Sequence, residues 1–174
     1  MDEIIYRFAT LGDVQSLVEL RLAFLAEASG SAALVPGLSE DLREYFTQSI
    51  PQEKFLAAVA LSNSKMIASS GLVLHYHPPG INNPTGREAY IMNMYTVPAW
   101  RRRGIAARLL EMLLDRTRSS RCGKVFLHVL PPARSIYVKA GFIPGQTEMR
   151  KNLLPISDPR KEETPAQVRA GASQ

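Results

Sequence analysis

The chain has a single cysteine, Cys122, among its 174 residues. No intramolecular disulfide can form, which fits a reducing compartment, so a cytoplasmic location is the expectation. Long apolar runs are also missing. None approaches the ~20 residues that cross a bilayer, so neither a membrane span nor a membrane partner is expected. The start, Met1-Asp2-Glu3, is acidic, and the apolar residues behind it are interrupted by Arg7, which does not read as a signal peptide. There is no internal repeat. Aromatic residues are sparse, at 7%. Among the arginines that follow position 100 they do not interleave beyond Trp100. A stacking platform for nucleic acid is therefore missing, and no nucleic-acid partner is expected.

What remains is ordinary for one globular domain: 45% apolar and 21% charged residues, with enough length to bury a sizeable core. The charge is unevenly placed. The formal net charge is +5, yet between Arg101 and Lys124 seven Arg and one Lys stand against only Glu111 and Asp115. The rest of the chain is close to neutral. A localised positive field attracts an anionic ligand.

That stretch lies inside the segment around which the chain is organised, Ala89 to Thr117. Tyr90, Ile91, Met92, Met94, Tyr95 and Val97 read as a strand covered on both faces. Pro98 ends it. After Arg101-Arg102-Arg103-Gly104, the residues Ile105, Ala106, Leu109, Leu110, Leu113 and Thr117 recur at helical spacing. Arg108, Glu111, Asp115 and Arg118 fall opposite. A glycine loop that opens a helix lets backbone N–H groups approach a phosphate, and the positive helix end attracts it. With three arginines at the same place, this specifies a pyrophosphate site.

The remaining elements follow in order. Ile4 to Phe8 alternates as a first strand. A helix capped by Thr10 or Asp13 runs to about Ala28, and Gly30 to Gly37 is loop-like. A second helix starts near Ser39 and ends before Pro51. Phe55–Leu61 and Met66–Tyr76 form a hairpin around Asn63-Ser64-Lys65. His77 to Gly86 is a proline-rich loop, suited either to substrate contacts or to a plain hairpin connection. Val125–Leu130 is a strand. Ala133–Ala140 is a short helix with Gly141 as its C′ residue and Phe142 folded back. A last strand is expected over Thr147–Leu153. Residues 1–154 form the domain, and the polar stretch 155–174 is a tail.

Two motifs carry a resemblance. Arg101-x-x-Gly104-x-Ala106, between a strand and a helix, resembles the acetyl-CoA motif of the GNAT superfamily of N-acyltransferases, Q/R-x-x-G-x-G/A. Ala133-x-x-x-Tyr137-x-x-x-Gly141-Phe142 resembles the second signature of that superfamily. The resemblance covers Gly86 to Leu153 well and the N-terminal half only in element order.

It implies an α/β (mixed α+β) fold: a twisted mixed sheet of six to seven strands flanked by about four helices. The sheet would splay between the Ala89 and Val125 strands, with acetyl-CoA in the gap. It also implies transfer of the acetyl group to a primary amine of a small molecule or peptide by direct attack, without a metal. The alternative is a non-catalytic acyl-CoA-binding or sensor domain of the same fold. A homodimer is compatible with either.

Met94, Tyr95 and Thr96 match the backbone that pairs with the pantetheine arm, and groups near Met94 would polarise the thioester carbonyl. Arg101, Arg102, Arg103, Gly104, Ile105 and Ala106 match the phosphate loop. Tyr137 matches the residue beside the CoA sulfur; a phenol is protonated at neutral pH and can donate to a departing thiolate. By spacing alone Tyr137 also suits a core aromatic. Many family members hold the pantetheine with an Asn where this chain has Leu130, and Ser135 is the substitute polar group. Candidates for the general base are Glu88, placed first because it follows the substrate loop, then His75, His77 and His128, or a bound water. Cys122, with no His near it in sequence, has no catalytic role.

Overall fold

In the computed structural model, which describes residues 3–29 and 35–145, five strands hydrogen-bond in chain order. They are β1 (Ile4–Phe8), β2 (Phe55–Ser62), β3 (Lys65–Tyr76), β4 (Arg87–Thr96) and β5 (Lys124–Leu127). The first three pairings are antiparallel and the last is parallel. The helices are α1 (Val14–Ser29), α2 (Leu38–Ser49), α3 (Ile105–Ser119) and α4 (Arg134–Lys139). The chain divides into two compact units, Met1–Phe142 and Ile143–Gln174. The expected strand Thr147–Leu153, the limit at residue 154, the tail and most of the Gly30–Gly37 loop lie outside the described residues.

Period-two alternation in β2 decides the layers. Ala58 and Ala60 join one core with Leu72, Ala89, Ile91 and the α3 residues Ile105, Leu109, Leu110 and Leu113. Phe55, Ala57 and Val59 join the other, with Val14, Leu17 and Val18 of α1 and Phe46 of α2. Strand side chains alternate between faces, so α3 covers one face of the sheet and α1 with α2 the other. The buried stripe of α3 is the one its spacing predicts, and Arg108, Glu111, Asp115 and Arg118 are exposed. Leu109 is fully buried, so truncating it to Ala should cost about 2–5 kcal/mol.

Turn chemistry fixes the register. Asn63 (φ 48°) and Ser64 (φ 62°) join β2 to β3 in the left-handed region that a two-residue hairpin turn needs. The connection from β4 through α3 to β5 returns parallel to β4, as a βαβ crossover must. The four helices match expectation. Among the described residues five strands stand against the six to seven expected.

Candidate active site

β4 and β5 part company early. Their ladder runs from Glu88 opposite Lys124 to Ile91 opposite Leu127 and stops there. β4 itself continues to Thr96. On its other side it stays paired with β3, Ser69 facing Tyr95 and Ala68 facing Thr96. Beyond Ile91 the edge of β4 that faced β5 is therefore free of the sheet, the opening expected between the Ala89 and Val125 strands. An extended polyamide laid there meets the backbone groups of Met92–Thr96 that face away from β3, except Thr96 O, which accepts from Arg101 Nε.

A bulge marks the point of divergence. Ser69 pairs with Tyr95 but Gly71 with Met92, so Ser70 opposes both Asn93 and Met94. Asn93 takes φ 55°, and asparagine is among the side chains that best tolerate that region. A bulge re-aims the strand and leaves one residue out of the ladder.

The free edge leads, past a 3-10 turn at Pro98–Trp100, to the start of α3. Gly104 is the N-cap with φ 78°, and a Cβ there would meet no atom within 4 Å. Glycine is required by the backbone conformation, not by crowding from the protein. The first helical bond is Arg108 N–H to Gly104 O. The N–H groups of Gly104, Ile105, Ala106 and Ala107 thus have no helical acceptor, and no side chain caps them. No acidic residue stands in the first turn. This end fits a diphosphate in charge and in donors.

The three loop arginines behave differently. The Arg101 guanidinium is 2.6 Å from Glu27 of α1, and its Nε donates to Thr96 O at 2.8 Å. It lies 5.5 Å from the Tyr95 ring centroid. Arg101 thus ties α1 to the end of β4, and Glu27 and Arg101 each hold the other charged. Arg103 donates to Ala99 O and stacks over Trp100. Among the described residues, Arg102 and Arg103 have no carboxylate partner. Farther along, Arg108, Arg116 and Arg118 pair with Glu111, Glu53 and Asp115. The field noted in the sequence is largely neutralised along α3 and persists at the loop.

Tyr137 is 7% exposed and belongs to the core that includes Ile105 and Leu109. Burial pushes its hydroxyl above the ordinary value, so it stays protonated at neutral pH. Gly141 (φ 88°) closes α4: Phe142 N–H bonds Tyr137 O at 3.0 Å and the Phe142 ring meets Tyr137 edge-on. Ser135 is exposed on α4, and Leu130 is half exposed.

On the α1 and α2 face, the three histidines of the chain gather around one tyrosine. The Tyr90 hydroxyl is 2.8 Å from His128 Nδ1. The Tyr90 ring stacks on Phe126 at 5.1 Å and lies 6.5 Å from His75, which in turn stacks with His77. His77 Nε2 is 3.8 Å from Glu88, and Lys124 Nζ is 4.0 Å from the same carboxylate. Glu88 lies four residues before Met92, about 13 Å along the strand, whereas Tyr90 and His128 bridge the two strands near their divergence. Tyr90 was missed as a candidate because aromatic residues in an apolar strand read as packing. Cys122 is part-buried and burial raises its thiol pKa, which leaves a poor nucleophile.

Among the described residues no group of three or more His, Cys, Asp or Glu could hold a metal ion, and no helix is long and apolar enough to cross a membrane.

Known proteins share this architecture. A predicted acetyltransferase from Clostridium acetobutylicum, solved with acetyl-CoA, is 29% identical, with a TM-score of 0.80 over 87% of this chain and 97% of its own. A GCN5-related N-acetyltransferase from Ralstonia eutropha is 22% identical, with a TM-score of 0.78 over 87% of this chain and 99% of its own. Glucosamine-6-phosphate N-acetyltransferase from Arabidopsis thaliana is 17% identical, with a TM-score of 0.68 over 87% and 99%. These two share the fold. No curated protein matches the chain. The family model for the acetyltransferase (GNAT) family matches residues 22–142, more than half of the sequence and all of the site described above. The chain belongs to the acetyltransferase (GNAT) family.

Proposed function

We propose that this protein is an N-acetyltransferase that moves the acetyl group of acetyl-CoA directly to a primary amine. The observation that carries the reading is the free edge of β4 over Met92–Thr96, running into the uncapped, glycine-led start of α3. One element offers a strand partner for an amide arm, and the next offers a positive end for a diphosphate.

The cosubstrate supplies the activated acetyl group; the chain supplies the rest. Backbone groups of Met94, Tyr95 and Thr96 hold the pantetheine arm in register, and a donor near Met94 polarises the carbonyl. Arg102, Arg103 and the N–H groups of Gly104, Ile105 and Ala106 receive the phosphates. Arg101 contributes its backbone there, while its side chain locks α1 against Thr96. Ser135, exposed on α4, is the polar group available in place of the missing asparagine. Tyr137, kept protonated by burial, donates to the departing thiolate.

Glu88 receives the proton of the amine. It stands six residues before Met94, about 20 Å along the strand, so the proton must travel. Tyr90, His128, His75 and His77 form a line of titratable groups between the two ends. The retained Tyr137 favours an enzyme over a binding domain.

The test is release of free thiol from acetyl-CoA across a panel of amines. Stoichiometric thiol release with an N-acetylated product is expected for at least one amine. Binding of acetyl-CoA with no turnover on any of them would leave a binding or sensor domain instead.

A further inference from the structure

The two faces of the sheet carry different chemistry where β4 and β5 part. Ala89 and Ile91 of β4 and Val125 and Leu127 of β5 pack into the core beneath α3, which also holds Tyr137. Side chains alternate along a strand, so Tyr90, Phe126 and His128 lie on the opposite face, that of α1 and α2. Met92 of that face packs against the α1 core, whereas Tyr90 belongs to neither core. Tyr90 is part-buried and His128 exposed. The two meet at the surface of the sheet, with the Tyr90 hydroxyl 2.8 Å from His128 Nδ1.

Distance along the strand decides which proton acceptor is near enough to the thioester. The β4–β5 ladder ends with Ile91 opposite Leu127, and one step further sets His128 level with Met92. The bond to His128 draws the Tyr90 hydroxyl toward that level, which is two residues or about 7 Å short of Met94. An amine bonded to the hydroxyl at about 2.9 Å, with its nitrogen about 3–3.5 Å from the acyl carbon, spans about 6 Å. The two lengths match for a thioester placed near Met94. Glu88, about 20 Å away along the strand, reaches the amine only through a relay.

We infer that Tyr90 is a further catalytic residue: its hydroxyl oxygen is the first acceptor of the amine proton, and His128 orients it and takes the charge. The inference rests on the acetyl-transfer reading for the position of the acyl carbon. As the amine nitrogen bonds to that carbon, the proton it sheds goes to the Tyr90 oxygen. The Tyr90 O–H proton passes at the same time to His128 Nδ1, which must be neutral to accept it. The C–S bond breaks, and the thiolate takes the Tyr137 proton. The His128 proton leaves along the line that ends at Glu88, and Tyr137 regains one from solvent. The proton is thus taken on one face of the sheet and delivered on the other. The charged and titratable groups nearest the pair are Arg21 of α1, electrostatically coupled to Tyr90, and His75 of β3, its ring 6.5 Å from that of Tyr90. Farther along the same face stand His77, Glu88 and Lys124.

Steady-state kinetics with the amine that releases thiol fastest in the panel test this, and calorimetry with CoA reports that each variant is folded. Tyr90→Phe should lower kcat about 10²–10⁴-fold, the usual worth of a positioned base, with CoA affinity unchanged. His128→Asn keeps an acceptor near the Nδ1 position without a basic nitrogen, and its loss should fall in the same range. The double variant should be no slower than the slower single one, because the two residues act as a unit. Wild-type kcat should fall toward acid as His128 takes up a proton, and that limb should vanish in His128→Asn. A Tyr90→Phe kcat close to wild type, additive losses in the double variant, or an acid limb that survives in His128→Asn would overturn the inference and leave the pair a surface hydrogen bond. CoA binding by wild type with no thiol release from any amine would instead strike the acetyl-transfer reading, and this inference with it.

Discussion

At the scale of single residues, Tyr137 and Gly104 carry the most specific expectations. Tyr137 sits 7% exposed among Ile105 and Leu109, so phenylalanine fits its place and only the hydroxyl is lost. Tyr137→Phe should lower kcat and kcat/KM together by about 10²–10⁴-fold, the usual worth of a positioned acid. CoA affinity should change little. Burial raises the hydroxyl pKa, so its acid form persists through neutral pH and no loss from its ionisation is expected below about 10. Steady-state kinetics across pH check both points; near-wild-type kcat would make Tyr137 a packing residue. A Cβ at Gly104 meets no atom within 4 Å, but Gly104→Val must adopt φ 78°, which costs an L-residue about 1–2 kcal/mol. It also places a branched side chain over the uncapped N–H groups of α3. CoA binding should be lost by calorimetry while the far-UV dichroism stays native; unchanged affinity would put the diphosphate elsewhere.

At the scale of elements, the start of α1 is held by one carboxylate. Asp13 takes a two-point contact from Arg7 at 2.7 and 2.8 Å, and also accepts the Thr10 N–H and hydroxyl. The Arg7 contact chiefly lowers its pKa from 3.8 to about 2. A depressed carboxylate stabilises above its unfolded pKa, and the contribution fades as pH falls from about 4 through 2. Arg7 is partly solvated, so screening reduces the contribution to about 1–2 kcal/mol. Asp13→Asn should unfold at lower urea at pH 6 than wild type and lose that part of the acid dependence; parallel curves between pH 2 and 5 would refute it.

The elements themselves were legible because each is locally consistent. The α3 stripe, the Asn63-Ser64 turn and the Gly141 cap all read from spacing and turn chemistry. The bulge did not, although an asparagine at position 93 inside an apolar strand is its signal. Nor did the Arg101–Glu27 pair, which joins residues 74 positions apart. The Tyr90–His128 contact depends on register and on facing elements, which no local pattern encodes.

At the scale of the whole molecule, the sheet supplies the site through one geometric act: β5 pairs for four rungs and β4 continues without it. Both halves of the proposed cosubstrate site follow from that divergence, the free edge and the helix start it leads to. The measurement that tests this most directly is thermal unfolding with and without acetyl-CoA. At ligand about 100-fold above its dissociation constant, the protein should gain about 2.7 kcal/mol, a rise in Tm of roughly 5–10 °C. An unchanged Tm at millimolar acetyl-CoA would contradict the account.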